Sequence, residues 1–307
     1  MTAAEHGLLV MALGWILGSV PLALLAWQVW WRKGGVEHAV IPHEDAQPAG
    51  SFLDVSLPPP LPEASGGVGV RHWRALDGWV ALGLLGVLSA LMGPLTVPVG
   101  EVEAMKLSAK GMGLQFAFQL GLGGLLLFYV GKLRRLDVGR IFGLRQQRLW
   151  MVPVWALGWI VPGMVAVAAL SWLTMPFLLR MIGQDEASPQ LIVRALLETP
   201  DALTRGMVVL SVGLGAPFME ELVFRGFLYA VGKRFTHWSY AAGASALFFA
   251  VVHGNAMSFL PLCFLGLLFT AAYEHSRSLL VPMVMHSFFN MVQLLVLFYA
   301  PQIAPSL

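Results

Sequence analysis

Long apolar runs separated by short polar stretches set the pattern of this chain. Residues from about Gly7 to Trp31 carry no charge and are long enough to cross a bilayer. Trp27, Trp30 and Trp31 end that run beside Arg32 and Lys33, as an interfacial aromatic belt does. The pattern then breaks. IPHEDAQPAG and SLPPPLPEASGG, within residues 34–74, are rich in Pro, Gly and small residues and predict a polar, irregular connection. Further apolar runs cover about Trp79–Val99, interrupted at Gly93-Pro94, then Met112–Val130, and Leu149–Leu179 with Pro153, Pro162 and Pro176. A polar loop around Asp185 leads to four more: Met207 to Lys233-Arg234, Trp238–Met257, Phe259–Tyr273 and Leu279–Tyr299. The expected fold is all-α, a polytopic integral membrane protein with about eight transmembrane helices. The expected organisation is an N-terminal helix (1–34), a Pro/Gly-rich polar loop (35–74), two helices with a basic loop (75–148), and a helical core (149–300).

Composition strengthens this reading. The chain has 307 residues, of which 57% are hydrophobic and 12% charged; a soluble domain carries about 25% charge. Mean hydropathy is +0.73. A formal net charge of +2 gives no footprint for nucleic acid, so the basic residues report topology instead. KLRRLDVGRIFGLRQQR, with Lys132, Arg134, Arg135, Arg140, Arg145 and Arg148, is the most basic stretch and is expected in the cytoplasm. Alternation from it places Arg32, Lys33, Lys233, Arg234, His275 and Arg277 inside, with both termini outside. That stretch also suits anionic lipid headgroups, although topology alone accounts for it. The Pro-rich loop reads either as a plain linker or as a ligand for a partner domain. The single cysteine, Cys263, excludes an intramolecular disulfide and argues against a thiolate metal site. MTAAEHG lacks a basic n-region, so the first apolar run is read as a retained helix. A compact, cysteine-poor chain of this kind suits a bacterial inner membrane.

Three polar groups interrupt the apolar runs of the C-terminal half. PFMEELVFRGFLYAVGKRF holds Glu220, Glu221 and Arg225; LFFAVVHG holds His253; VMHSFFN holds His286 and Asn290. Ionisable groups at membrane depth are costly and usually functional. Glu221 and Arg225, four apart on a helix, share a face and can pair. Glu220 is turned about 100° from Glu221, which leaves it free for chemistry. His286 and Asn290 likewise share a face. Taken singly, a membrane histidine is often helix-to-helix glue, Glu221–Arg225 is a structural pair, and Asn290 is packing polarity. Together, two carboxylates, two imidazoles and an amide on three helices are what activating a water requires. A carboxylate acts as general base, an imidazole orients water or binds metal, and an amide with an imidazole stabilises an oxyanion. A proton or ion relay uses the same groups, but the repeat symmetry of a transporter is not found in the sequence.

EELVFR reads as EExxxR, FAVVH as FxxxH and HSFFN as HxxxN. In this order, on separate helices, they resemble the CPBP intramembrane protease family, also called the Abi or type II CAAX prenyl endopeptidase (Ras-converting) family. The resemblance covers roughly residues 150–300. It implies a helical core whose cavity brings water to a scissile peptide of a membrane-associated or CAAX-like substrate. It implies Glu220 as general base with His253 as its partner, Glu221 and Arg225 as the pair that shapes the first motif, and His286 and Asn290 as the oxyanion pair. Glu220, His253 and His286 also make a three-ligand set for Zn2+ or another divalent metal; a metal-free glutamate mechanism uses the same atoms. Relatives linked to bacteriocin immunity or secretion scaffolding supply a second reading, a non-catalytic membrane factor, which fits the unmatched N-terminal half. Three decoys are set aside. His43 in HEDAQ lacks a zincin's second histidine. Leu76-Asp77-Gly78 lacks an accompanying HExxH, and Gly243-Ala244-Ser245 reads better as a helix contact.

Overall fold

A computed structural model describes residues 67–92, 108–145, 148–182, 201–255 and 257–299. The expected helix near residues 7–31, most of the Pro-rich connection, and the polar segments near Glu101 and Asp185 lie outside the described residues. Their regular structure is helical, with no strand among the described residues. The elements are α1 (Ala75–Met92), α2 (Ala109–Leu133), α3 (Val138–Ile141), α4 (Met151–Ile182), α5 (Ala202–Phe235), α6 (Trp238–Val252), α7 (Phe259–Ser276) and α8 (Leu280–Tyr299). Among them α2, α4, α5, α7 and α8 are long and apolar enough to cross a membrane; α1 and α6 are shorter apolar helices. The protein is thus an all-helical, polytopic membrane protein.

Local chemistry explains the helix limits. Ser108 accepts from the Gly111 amide at the start of α2. Asp201 accepts from the Leu203 and Thr204 amides and the Thr204 hydroxyl at the start of α5. Those bonds, the Thr204 hydroxyl first, hold the Asp201 carboxyl below its ordinary pKa. Pro162 and Pro176 lie within α4 and do not end it. The apolar run expected to reach Met257 stops five residues earlier, at Val252. His253 Nδ1 bonds back to the Phe249 carbonyl, and Gly254 follows with φ +62°, the left-handed stop that glycine supplies.

One end of the bundle gathers the basic residues. Phe142, after α3, accepts from the Leu279 amide that opens α8, which joins the 132–145 stretch to the α7–α8 turn. Lys233 at the end of α5 pairs with Glu274 near the end of α7 (2.8 Å). Asp77, fully buried, accepts from Arg134 Nε (2.6 Å), Arg134 Nη2 (2.9 Å), the Tyr129 hydroxyl (2.7 Å) and the Arg74 amide (2.6 Å). The Leu76-Asp77-Gly78 decoy is therefore a buried anchor tying α1 to α2.

The tail of the expected connection, residues 67–74, is irregular but not free of the bundle. Val68, Val70 and Trp73 are buried. The Val68 amide bonds Glu274, Lys233 bonds the Val68 carbonyl, and Arg234 bonds the Trp73 carbonyl. Apolar side chains inside a Pro/Gly-rich stretch were the local signal for this docking.

The turn of Phe142 to Leu144 depends on glycine. Gly143 has φ +62°, and a Cβ there would run into the Arg277 carbonyl oxygen. Gly143→Ala is expected to lower stability by more than about 2 kcal/mol through strain and loss of the Phe142–Leu279 contact. Thermal melting in detergent checks this, and a wild-type melting curve would refute the close approach.

Candidate active site

The site is built around the middle of α5, a helix of 34 residues. At 1.5 Å per residue it is about 50 Å long, well beyond a hydrocarbon core of about 30 Å. Glu220 and Glu221, near its midpoint, therefore lie at membrane depth. Two π-helical stretches flank them, Ser211–Gly215 and Leu222–Tyr229. Such widened turns frequently mark functional sites.

α6 and α7 form a hairpin that brings His253 to this depth. α6 starts at the basic end, four residues after Arg234, and has 15 residues. Its length of about 22 Å falls short of a full crossing, so His253 at its C-cap stays within the apolar layer. α7 returns to the basic end. The two helices approach closely where a Cβ on Gly266 would stand 2.9 Å from the Ala246 Cα. Beside it, Ser245 donates to the Phe224 carbonyl of α5 (3.1 Å). The Gly243-Ala244-Ser245 fragment is thus at a helix contact, as expected.

The three motifs meet. Arg225 Nη1 donates to Glu221 Oε1 at 2.7 Å, and both side chains are fully buried. The four-residue spacing delivers the expected pair. The same oxygen takes a second bond, at 2.9 Å, from His286 Nδ1. This contact joins α5 to α8 across 65 positions and was not legible in the sequence. Asn290 lies one turn beyond His286, and its amide nitrogen donates to the Val212 carbonyl (2.8 Å), in the first π-helical stretch.

Hydrogen bonding fixes the histidine tautomers. His253 Nδ1 stands 2.6 Å from the Phe249 carbonyl and His286 Nδ1 2.9 Å from a carboxylate oxygen. Both partners accept, so each Nδ1 carries a proton, and in the neutral ring the lone pair is at Nε2. The two Nε2 atoms each lie 3.9 Å from Glu220 Oε2. That oxygen is buried and makes no hydrogen bond among the described residues. Three acceptors facing one another repel unless a proton donor or a cation stands among them. The site is not sealed: the side chain of His253 is 31% exposed and that of Glu220 17%, against 4% for His286.

The donor set suits a water or a divalent cation. Ligands about 2.1 Å from a tetrahedral zinc stand about 3.4 Å apart. Groups bridged by one water at about 2.8 Å stand about 4.5 Å apart. The separation of 3.9 Å falls between the two. No three His, Cys, Asp or Glu side chains among the described residues stand at full ligating geometry.

Comparison with known proteins agrees with the motifs. Residues 203–292, which contain all three, match the family model described as Rce1-like, type II CAAX prenyl endopeptidase. The membrane-embedded CAAX protease MroQ of Staphylococcus aureus (strain USA300) is 26% identical over 139 residues, 43% of this chain and 54% of MroQ. The chain thus matches about half the length of this relative. No solved structure matches the chain. By its helical membrane core, its three motifs and this match over residues 203–292, the chain is similar to the CPBP, or type II CAAX prenyl endopeptidase, family.

Proposed function

We propose that this protein is an intramembrane endopeptidase that hydrolyses peptide bonds of membrane-associated or CAAX-like substrates with a water activated by Glu220 and His253. The observation that carries the reading is the convergence of two imidazole Nε2 atoms on Glu220 Oε2, each at 3.9 Å, at membrane depth. A water there donates one hydrogen to Glu220 Oε2 and the other to His253 Nε2. Glu220 takes the first proton as the water oxygen bonds to the scissile carbonyl carbon. The oxyanion is met by the second N–H of Asn290, whose first is held by Val212, while His286, held by Glu221, keeps its Nε2 turned to Glu220. Glu220 then returns its proton to the departing amide nitrogen as the C–N bond breaks, which leaves a carboxylic acid and an amine; the acid's remaining proton passes to the amine, giving a carboxylate and an ammonium group. If a divalent metal is the cofactor, Glu220, His253 and His286 hold it, and it polarises the same water.

The basic end faces the cytoplasm by the positive-inside rule. The relative in Staphylococcus aureus supports a bacterial membrane. The direct test is hydrolysis of prenylated and unprenylated membrane peptides by the purified protein in detergent, with and without a chelator. Cleavage of at least one peptide is expected. A chelator-sensitive rate restored by added Zn2+ assigns the metal form, and an insensitive rate assigns the metal-free one. A folded protein that cleaves none of the panel counts against the reading.

A further inference from the structure

Hydrogen bonds alone do not account for the enclosure of Arg225. Its guanidinium offers five N–H donors. Nη1 bonds Glu221, Nη2 bonds the Gly266 carbonyl at 3.2 Å, and Nε is buried with no hydrogen-bond partner among the described residues. What surrounds the remainder is aromatic. The guanidinium carbon lies 4.5 Å from the centroid of Phe249, 5.1 Å from Phe269 and 6.0 Å from Phe224. Ring faces carry the negative lobe of the aromatic quadrupole and attract a desolvated cation more strongly than an exposed one.

Phe269 has a second contact. Its ring lies 5.0 Å from the His286 imidazole, tilted by only 30°. Phe269 is fully buried and comes from α7, which supplies none of the ionisable site groups. Arg225, Glu221, His286 and Phe269 therefore form a closed circuit of contacts: ion pair, hydrogen bond, ring on ring, and cation on ring. An ordinary core phenylalanine fills space that a leucine could also fill. This one touches two cationic or protonatable groups that share one carboxylate oxygen.

We propose that Phe269 is a positioning residue, whose ring clamps the Arg225 guanidinium and the His286 imidazole so that both stay on Glu221 Oε1. Its kinetic consequence rests on the hydrolase reading above; its physical basis does not. Without the ring, Arg225 and His286 gain room to leave Glu221, and His286 Nε2 drifts from Glu220. Substrate contacts stay as they are, so turnover falls while KM holds.

The test replaces Phe269 in the full-length chain by 4-fluoro-, 3,5-difluoro- and 3,4,5-trifluorophenylalanine. Fluorine removes electron density from the ring face with little change of shape. The same series at Phe177, an exposed residue of α4, is the control. Melting temperature in detergent is expected to fall stepwise with fluorination at 269 and to stay level at 177. With whichever membrane peptide the wild type cleaves best, kcat is expected to fall about tenfold across the 269 series, with KM within twofold. Phe269→Leu should lose at least as much turnover as the trifluoro variant. A level melting series overturns the clamp whether or not the protein is a protease. A stepwise melting series with unchanged kcat overturns the positioning role. If the wild type cleaves no peptide, the hydrolase reading fails, and the melting series still decides the clamp.

Discussion

Glu220→Ala is expected to lower peptide hydrolysis by about 10²- to 10⁴-fold, the range of a lost general base, and to leave the protein as stable as before or more so. The two halves of this expectation have one cause. Glu220 Oε2 is buried and makes no hydrogen bond among the described residues, while two imidazole Nε2 atoms face it from 3.9 Å. A carboxylate held that way adds little to the fold and is costly to bury. Its removal takes away the base without removing a bond, as happens at sites where stability is given up for activity. Steady-state kinetics and thermal melting of the purified variant check both halves. Undiminished cleavage would end the assignment of Glu220 as base. A sharply lowered melting temperature would mean that Glu220 belongs to the structure instead, as Glu221 does.

The contrast between adjacent glutamates shows what was legible in the sequence. Apolar runs reveal membrane helices because lipid demands continuous helical segments, and the described spans lie where those runs lie. The Glu221–Arg225 pair was legible because its spacing is local. The same reasoning set Glu220 apart, on the other side of one turn. What the sequence hid was long-range. Nothing in the spacing of His286 and Asn290 says that the first reaches Glu221 and the second a backbone carbonyl at Val212. The π-helical stretches leave no hydrophobic signature, since every residue of Leu222–Tyr229 is buried and no polar face records the slipped turn. Phe269 was hidden for a similar reason: one buried phenylalanine in an apolar helix resembles any other until the guanidinium is seen beneath it. The end of α6 had a signal that the apolar run masked, the glycine after His253.

Glu221→Leu and Arg225→Met, made singly, are each expected to destabilise the protein by about 3–5 kcal/mol; made together, they should recover most of that loss without recovering activity. Removing one partner leaves the other as an uncompensated charge with no access to water. Both side chains are fully buried, and Arg225 in addition bonds the Gly266 carbonyl. The double variant puts apolar groups of similar size where the charges were, a replacement that is often neutral. Residues in direct contact should then show a coupling of several kcal/mol in a double-mutant cycle. Activity has a separate requirement. Glu221 Oε1 is the acceptor that sets the tautomer of His286 and aims its Nε2 at Glu220. Leucine at 221 accepts nothing, so a stable double variant still lacks an oriented His286. Melting temperature and peptide hydrolysis of the three variants separate the two roles. A double variant as unstable as the singles would show that the cavity, not the charge, sets the loss. A double variant that cleaves at the wild-type rate would show that the Glu221–His286 bond does not serve catalysis.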